Sequence, residues 1–441
     1  MNCCGKESSE RWRKVSIQYA LHATPQNVER PFHLGKQKTG HWSRTRVMWF
    51  IALCVLVFLV NGYHPHSGEA EHFVASVEWQ INPSLHPDAA FQDSQDSDLW
   101  FPVISRILAV AVVNLHLPLG FLLLTLYLTS IAAFLLACNL LAERMFHSKW
   151  ARSGAILLAA ACFAIPVAGI SLHLMEPYIT PRSIAIPLSL FSVVACLDRS
   201  WKRAVACLLL AAVACPIESA YFAIFLVVLA LIDSSRHIAA IAICASVIGA
   251  CILLSYRTGN TSVYSLDEGV IFHQITSCAY GIQQFVFGSR LYGLVQLVAP
   301  LILLAFIPLQ FGPETKAGKL SRSCVLIGIT TCIVLIVFAH PGHSGIPVSS
   351  WTLQCFETVD AVAVVLLGGL LFSFFLERGI WIGISLIVMV FGSMFLLGRR
   401  AYSNQPHIET YLAFVADHTV AAAVSPETQV IDGKRHSNLP I

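Results

Sequence analysis

Charge is what this sequence has least of. Asp, Glu, Lys and Arg make up only 12% of its 441 residues, about half the share of an ordinary globular domain. So few charges cannot clothe a soluble surface. With 56% hydrophobic residues and a mean hydropathy of +0.69, most of the chain must face lipid or other apolar helices. A formal net charge of +3, spread over loops, excludes the basic footprint of a nucleic-acid-binding protein. The 14 cysteines contain no Cys-x-x-Cys or Cys/His zinc spacing. Most of them fall in apolar runs, where Cys packs as a small hydrophobe. No alternating ten-residue pattern marks a β-barrel, and no internal repeat marks the inverted halves of a transporter.

What remains is a series of apolar runs. Residues 1–46 are polar and basic, with Arg11, Arg13, Lys14, Arg44 and Arg46 among their cations. The first run, Val47 to Val60, comes too late for an ordinary signal peptide and reads as a signal anchor, with the N-terminus cytoplasmic. Further runs cover roughly 119–142, 153–172, 183–197, 204–232, 238–255, 291–311, 323–340, 359–376 and 380–397. Most approach the ~20 residues that span a bilayer. The expected fold is therefore all-α, a polytopic integral membrane helical bundle. It comprises a cytoplasmic segment 1–46, a transmembrane domain 47–398 with an extracytoplasmic loop 63–118, and a short extracytoplasmic tail 399–441 with one helix from Tyr411 to Val424.

Two stretches are settled by the positive-inside rule. Residues 101–118 carry Arg106 at their centre and read as an interfacial or re-entrant helix. The run 204–232 is too long for one helix and is interrupted at Cys215-Pro216-Ile217-Glu218-Ser219. A single crossing there would export Lys316, Lys319 and Arg322, so it is expected to be a hairpin.

The polar residues collect in the outer loops. After Asn61-Gly62-Tyr63-His64-Pro65, Ser67 can cap a helix whose first turn holds Glu69 and Glu71, with Phe73, Val77 and Ile81 on its apolar stripe. Acids there also simply complement the helix dipole. Glu69 and His72 share a face at i, i+3. A divalent metal on Glu69, His72 and neighbours stays open, although no His-x-x-x-His pair supports it. Arg182, at the membrane surface, suits a phosphate clamp, an interfacial side chain that snorkels, or an ion pair with Glu176. Glu218 is either an acid at membrane depth or a wet hairpin tip.

These stretches carry a resemblance. The first loop resembles the start of the GT-C class of polytopic glycosyltransferases, which use polyprenyl-phosphate sugars and place an acid in the first extracytoplasmic loop. Gly62-Tyr63-His64-Pro65, then Asn82-Pro83-Ser84-Leu85 and Asp88-Ala89-Ala90-Phe91, are similar to an uncharacterised bacterial subgroup. So is Glu176-Pro177-Tyr178-Ile179-Thr180-Pro181-Arg182-Ser183 leading into an apolar helix. Leu353-Gln354-Cys355-Phe356-Glu357 stands where the subgroup has Leu-Gln-Pro-x-Arg, and Cys215-Pro216 where it has His-Pro.

The resemblance implies a GT-C-like fold that transfers a sugar from a polyprenyl-phosphate donor at the outer face of a bacterial inner membrane. Glu69 would be the general base, with Glu71 or His72 orienting it or helping to hold a metal. Arg182, with Arg257 or Arg290, would stabilise the leaving lipid phosphate. Tyr178, Glu218 and Gln354 are further candidates. The expected partners are membrane lipids and a polyprenyl-phosphate-linked sugar, with no nucleic acid. The alternatives are an inactive GT-C-like protein that binds a lipid-linked ligand, and a transporter.

Overall fold

The computed structural model describes residues 44–63, 69–82, 102–163, 174–176, 178–233, 290–338 and 348–378, with isolated positions between 241 and 249 and at 385 and 389. The chain falls into two units, Met1–Phe50 and Ile51–Ile441. In the first, only the opening turns of a helix are described, and all packing below lies within the second.

The described residues are helical, with no strand among them. In chain order the helices are α1 (Arg44–Asn61), α2 (Glu69–Ile81), α3 (Pro102–Leu115), α4 (Leu119–Met145), α5 (Lys149–Ala161) and α6 (Pro181–Leu197). They continue with α7 (Trp201–Ala214), α8 (Pro216–Ile232), α9 (Arg290–Phe311), α10 (Lys316–Phe338) and α11 (Val348–Arg378). Among the described residues, three helices are long and apolar enough to cross a membrane, by length and composition: α1, α4 and the stretch Cys355–Phe372 of α11. Helices α3, α6, α8 and the second half of α9 are apolar but shorter. The 14-residue α3 leaves Arg106 exposed and packs on α2 through a buried hydroxyl pair, Ser76 Oγ to Ser105 Oγ at 3.2 Å.

Two expected boundaries shift. The run 153–172 is not one helix. Helix α5 stops at Ala161, and the Met175 N–H donates to the Phe163 carbonyl at 2.8 Å. In the second shift, α10 and α11 begin well before their apolar cores, at Lys316 and Val348. The run 238–255 is described only at scattered positions. The span 380–397, the tail 399–441 and residues 1–43 lie largely or wholly outside the described residues.

The run 204–232 is two helices broken by a single extended residue, Cys215 (φ −144°, ψ 101°), with Pro216 opening α8. Proline is favoured at a first helical position, where its missing N–H costs nothing. Both ends of the pair meet one ionic cluster. Asp198, just before α7, takes Arg144 at 3.0 Å and Lys316 at 4.0 Å; Asp233, just after α8, takes Lys319 at 2.6 Å. Helices α7 and α8 therefore form a hairpin that enters and leaves at the same end of the helical unit. The turn from α6 into α7 needs only Asp198 to Ser200, because Arg199 takes a left-handed conformation (φ 56°) while Ser200 N–H reaches back to the Ala195 carbonyl at 2.9 Å.

Tight packing depends on small residues where α5 crosses α11. A methyl at Gly154 would strike Phe372 and lie 2.9 Å from the Gly368 carbonyl, and one at Gly368 would lie 2.8 Å from the Gly154 carbonyl. Such mutual small-residue contacts let helix backbones approach closely in membrane proteins.

Candidate functional site

The site is built on the start of α6. Thr180 caps this helix reciprocally with Ser183: the Ser183 N–H donates to Thr180 Oγ1, and the Thr180 N–H donates to Ser183 Oγ, both at 3.3 Å. Pro181 opens the first turn. The cap is tied down from both sides. Thr180 Oγ1 donates to Glu176 Oε2 at 2.8 Å, and Ser130 Oγ on α4 donates to the Ser183 carbonyl at 3.0 Å. Arg182 is thus held on a rigid helix start rather than on a loop.

Around Arg182 the fold gathers three carboxylates. Glu176, from the preceding loop, lies 3.5 Å from Arg182 Nη1; Glu357, on α11, lies 3.8 Å from it. Glu218, on the first turn of α8, lies within the field of Arg182 and is opposed by that of Glu176. All four are buried: Arg182 is 8% exposed, Glu176 3%, Glu218 1% and Glu357 1%. Among the described residues, one guanidinium facing three carboxyl groups away from water is an unbalanced set, and burial of unbalanced charge costs several kcal/mol. The imbalance shows at Glu218. Thr358 approaches its carboxyl, yet neither Glu218 Oε1 nor Thr358 Oγ1 has a hydrogen-bond partner among the described residues. Cys215, Tyr221 and Cys355 complete the surroundings.

The first loop begins beside this cluster. Tyr127, one turn before Ser130 on α4, donates its hydroxyl to the Gly62 carbonyl at 3.0 Å and packs on the Tyr63 ring at 5.2 Å. Gly62 takes φ 74°, which ends α1 and starts the loop. The Tyr63 hydroxyl is buried with no partner among the described residues, and burial pushes its phenol above the ordinary tyrosine range.

The candidate residues fare differently. Arg182 and Glu218 come together, and the 9%-exposed Tyr178 is tied to the start of α6, where Ser183 Oγ donates to its carbonyl at 3.3 Å. Arg182 is engaged by carboxylates, so the ion-pair alternative at Glu176 is realised and widened to Glu357. Glu218 is buried rather than wet. Glu69 opens α2, whose buried face is Ala70, Phe73, Val74 and Val77, with Ile81 only half-buried at its end. The side chains of Glu69, Glu71, His72, Arg290 and Gln354, and all of Arg257, lie outside the described residues. Among the described residues, no group of three or more His, Cys, Asp or Glu is placed to hold a metal. Sequence reasoning missed Glu357 as a partner of Arg182, and Thr358 beside it. The one available signal was a pair of acids, Glu357 and Asp360, inside an otherwise apolar helix.

The opposite end of the helical unit is different in kind. Along α6, Asp198 lies about 24 Å from Arg182, at 1.5 Å per residue. There Arg144, Asp198, Asp233, Glu314, Lys316, Lys319 and Arg322 form exposed or half-buried ion pairs. A search with protein-family models, and comparisons with characterised proteins and with solved structures, find no match to this chain.

Proposed function

We propose that this chain is a multi-pass membrane protein of the GT-C-like kind, which transfers a sugar from a polyprenyl-phosphate donor to an acceptor at the outer face of a bacterial inner membrane. One observation supports the reading above the rest. The stretches that carried the resemblance are far apart in sequence, yet Gly62-Tyr63, Tyr178 to Ser183, Cys215-Pro216 and Cys355 to Glu357 converge on one end of the helical unit around Arg182. In this reading the ionic end is cytoplasmic, as its cations require, and Arg182 sits near the outer boundary of a hydrocarbon layer about 30 Å thick. Glu69, opening α2 just past Tyr63, takes the proton of the acceptor hydroxyl. Arg182 answers the charge that develops on the lipid phosphate once the ligand displaces a carboxylate from it.

The test is transfer from a polyprenyl-phosphate sugar by the purified protein. Glu69→Gln keeps shape and removes the base, so the rate should fall by about 10²–10⁴. Glu71→Gln should cost much less, because it lies about 200° round the helix from Glu69, at ~100° per residue. Full activity in Glu69→Gln with loss in Glu71→Gln would reverse the assignment. The carboxylates already on Arg182 favour a second reading, an inactive relative that binds the lipid-linked ligand. Saturable binding of the donor, with no transfer by the unmodified protein under any metal condition, would select it.

A further inference from the structure

Helix α7 exposes one continuous stripe. Lys202 and Arg203 stand at its start, followed by Ala206, Leu209, Leu210 and Val213. These positions recur at the three- and four-residue spacing of a single helix face. Leu209 is 43% exposed, Leu210 58% and Val213 46%, while the other side of the helix, with Ala204, Leu208 and Ala211, is buried. The stripe is cationic at one end and apolar for about 15 Å beyond it, at 1.5 Å per residue. The neighbouring acids are engaged elsewhere: Asp198 by Arg144 and Lys316, Asp233 by Lys319. Lys202 lies 5.9 Å from the Trp201 ring centroid, and among the described residues neither Lys202 nor Arg203 has an ion pair. Two cations without an ion pair among the described residues, in line with a lipid-length apolar track, match a molecule with an anionic head and a hydrocarbon chain. A zwitterionic head brings its own cation and matches less well.

We propose that this stripe binds a single anionic phospholipid, its phosphate on Lys202 and Arg203 and one acyl chain along Ala206, Leu209, Leu210 and Val213. The site is distinct from the Arg182 cluster and requires only that the chain sits in a membrane, not that it transfers sugar. The full-length protein in detergent would be titrated with dioleoyl phosphatidylglycerol, dioleoyl phosphatidylcholine or glycerol phosphate, with bound lipid read by native mass spectrometry. Phosphatidylglycerol should bind tightest, and K202Q/R203Q should weaken it about thirty-fold, from about 1 kcal/mol per cation near an anionic head. K149Q, which removes another exposed cation, should leave that affinity nearly unchanged. Phosphatidylcholine binding equally well, K202Q/R203Q binding as the unmodified protein does, or K149Q losing as much as the double variant would each overturn the site. Glycerol phosphate competing as well as the intact lipid would overturn the acyl track.

Discussion

At the scale of single residues, Arg182 is the only cation among the described residues that is placed among three buried carboxylates. Arg182→Ala should destabilise the folded protein by about 3–5 kcal/mol, because it strands buried acids without a counter-charge. A large fall in thermal midpoint in detergent would show it. Glu218→Gln should do the opposite of what a buried acid normally suggests. It removes a carboxyl group whose Oε1 accepts no hydrogen bond among the described residues, so stability should hold within about 1 kcal/mol or rise. A fall as large as that of Arg182→Ala would mean that Glu218 is a full partner of the guanidinium. The site was half-legible in the sequence. Arg182 and Glu218 stand out because ionisable residues within apolar stretches are rare, and Glu176 lies six residues from Arg182. Glu357 is 175 positions away, and no periodicity links it to α6. Only the fold, through α8 packing against both α6 and α11, brings the two together.

The same contrast holds for whole elements. Apolar runs locate helices well, because burial or lipid contact selects the same residues wherever a helix runs. They locate ends poorly. The first turns of α10 are polar (Lys316, Lys319, Arg322) and extend a helix whose apolar core alone was visible. The interruption of 204–232 was legible because Pro216 and the flanking cations point to the same answer. The α5–α11 crossing was not, since a glycine inside an apolar run does not say which helix it will touch. That crossing gives a sharp test. Gly154→Leu should overpack against Phe372 and cost about 1–3 kcal/mol or more. Gly120→Ala, with nothing within 4 Å of the added carbon, should be neutral or stabilising by less than about 1 kcal/mol. Equal effects in a thermal-shift comparison would mean that the two helices are not packed at Gly154.

For the molecule as a whole, the proposed orientation, with the ionic end cytoplasmic, predicts a labelling pattern. Lys316→Cys should be protected from a membrane-impermeant thiol reagent added outside intact cells and labelled after the membrane is opened. Labelling from outside would invert the assignment of both ends, and with it the face on which Arg182 lies. The hairpin has a mechanical consequence once the chain sits in a bilayer. Helix α7 has 14 residues, a rise of about 21 Å, whereas a hydrocarbon layer is about 30 Å thick. Entering from the ionic side, the hairpin turns back about 9 Å short of the far headgroups. Cys215 and Glu218 at the tip are buried, so the lipid that must thin is the lipid beside the exposed face of α7, at Leu209, Leu210 and Val213. In the proposed orientation the outer leaflet is thinned beside the hairpin, and a lipid-borne head group drifting into that hollow is lowered to the depth of Glu218 and Arg182 without any helix having to move.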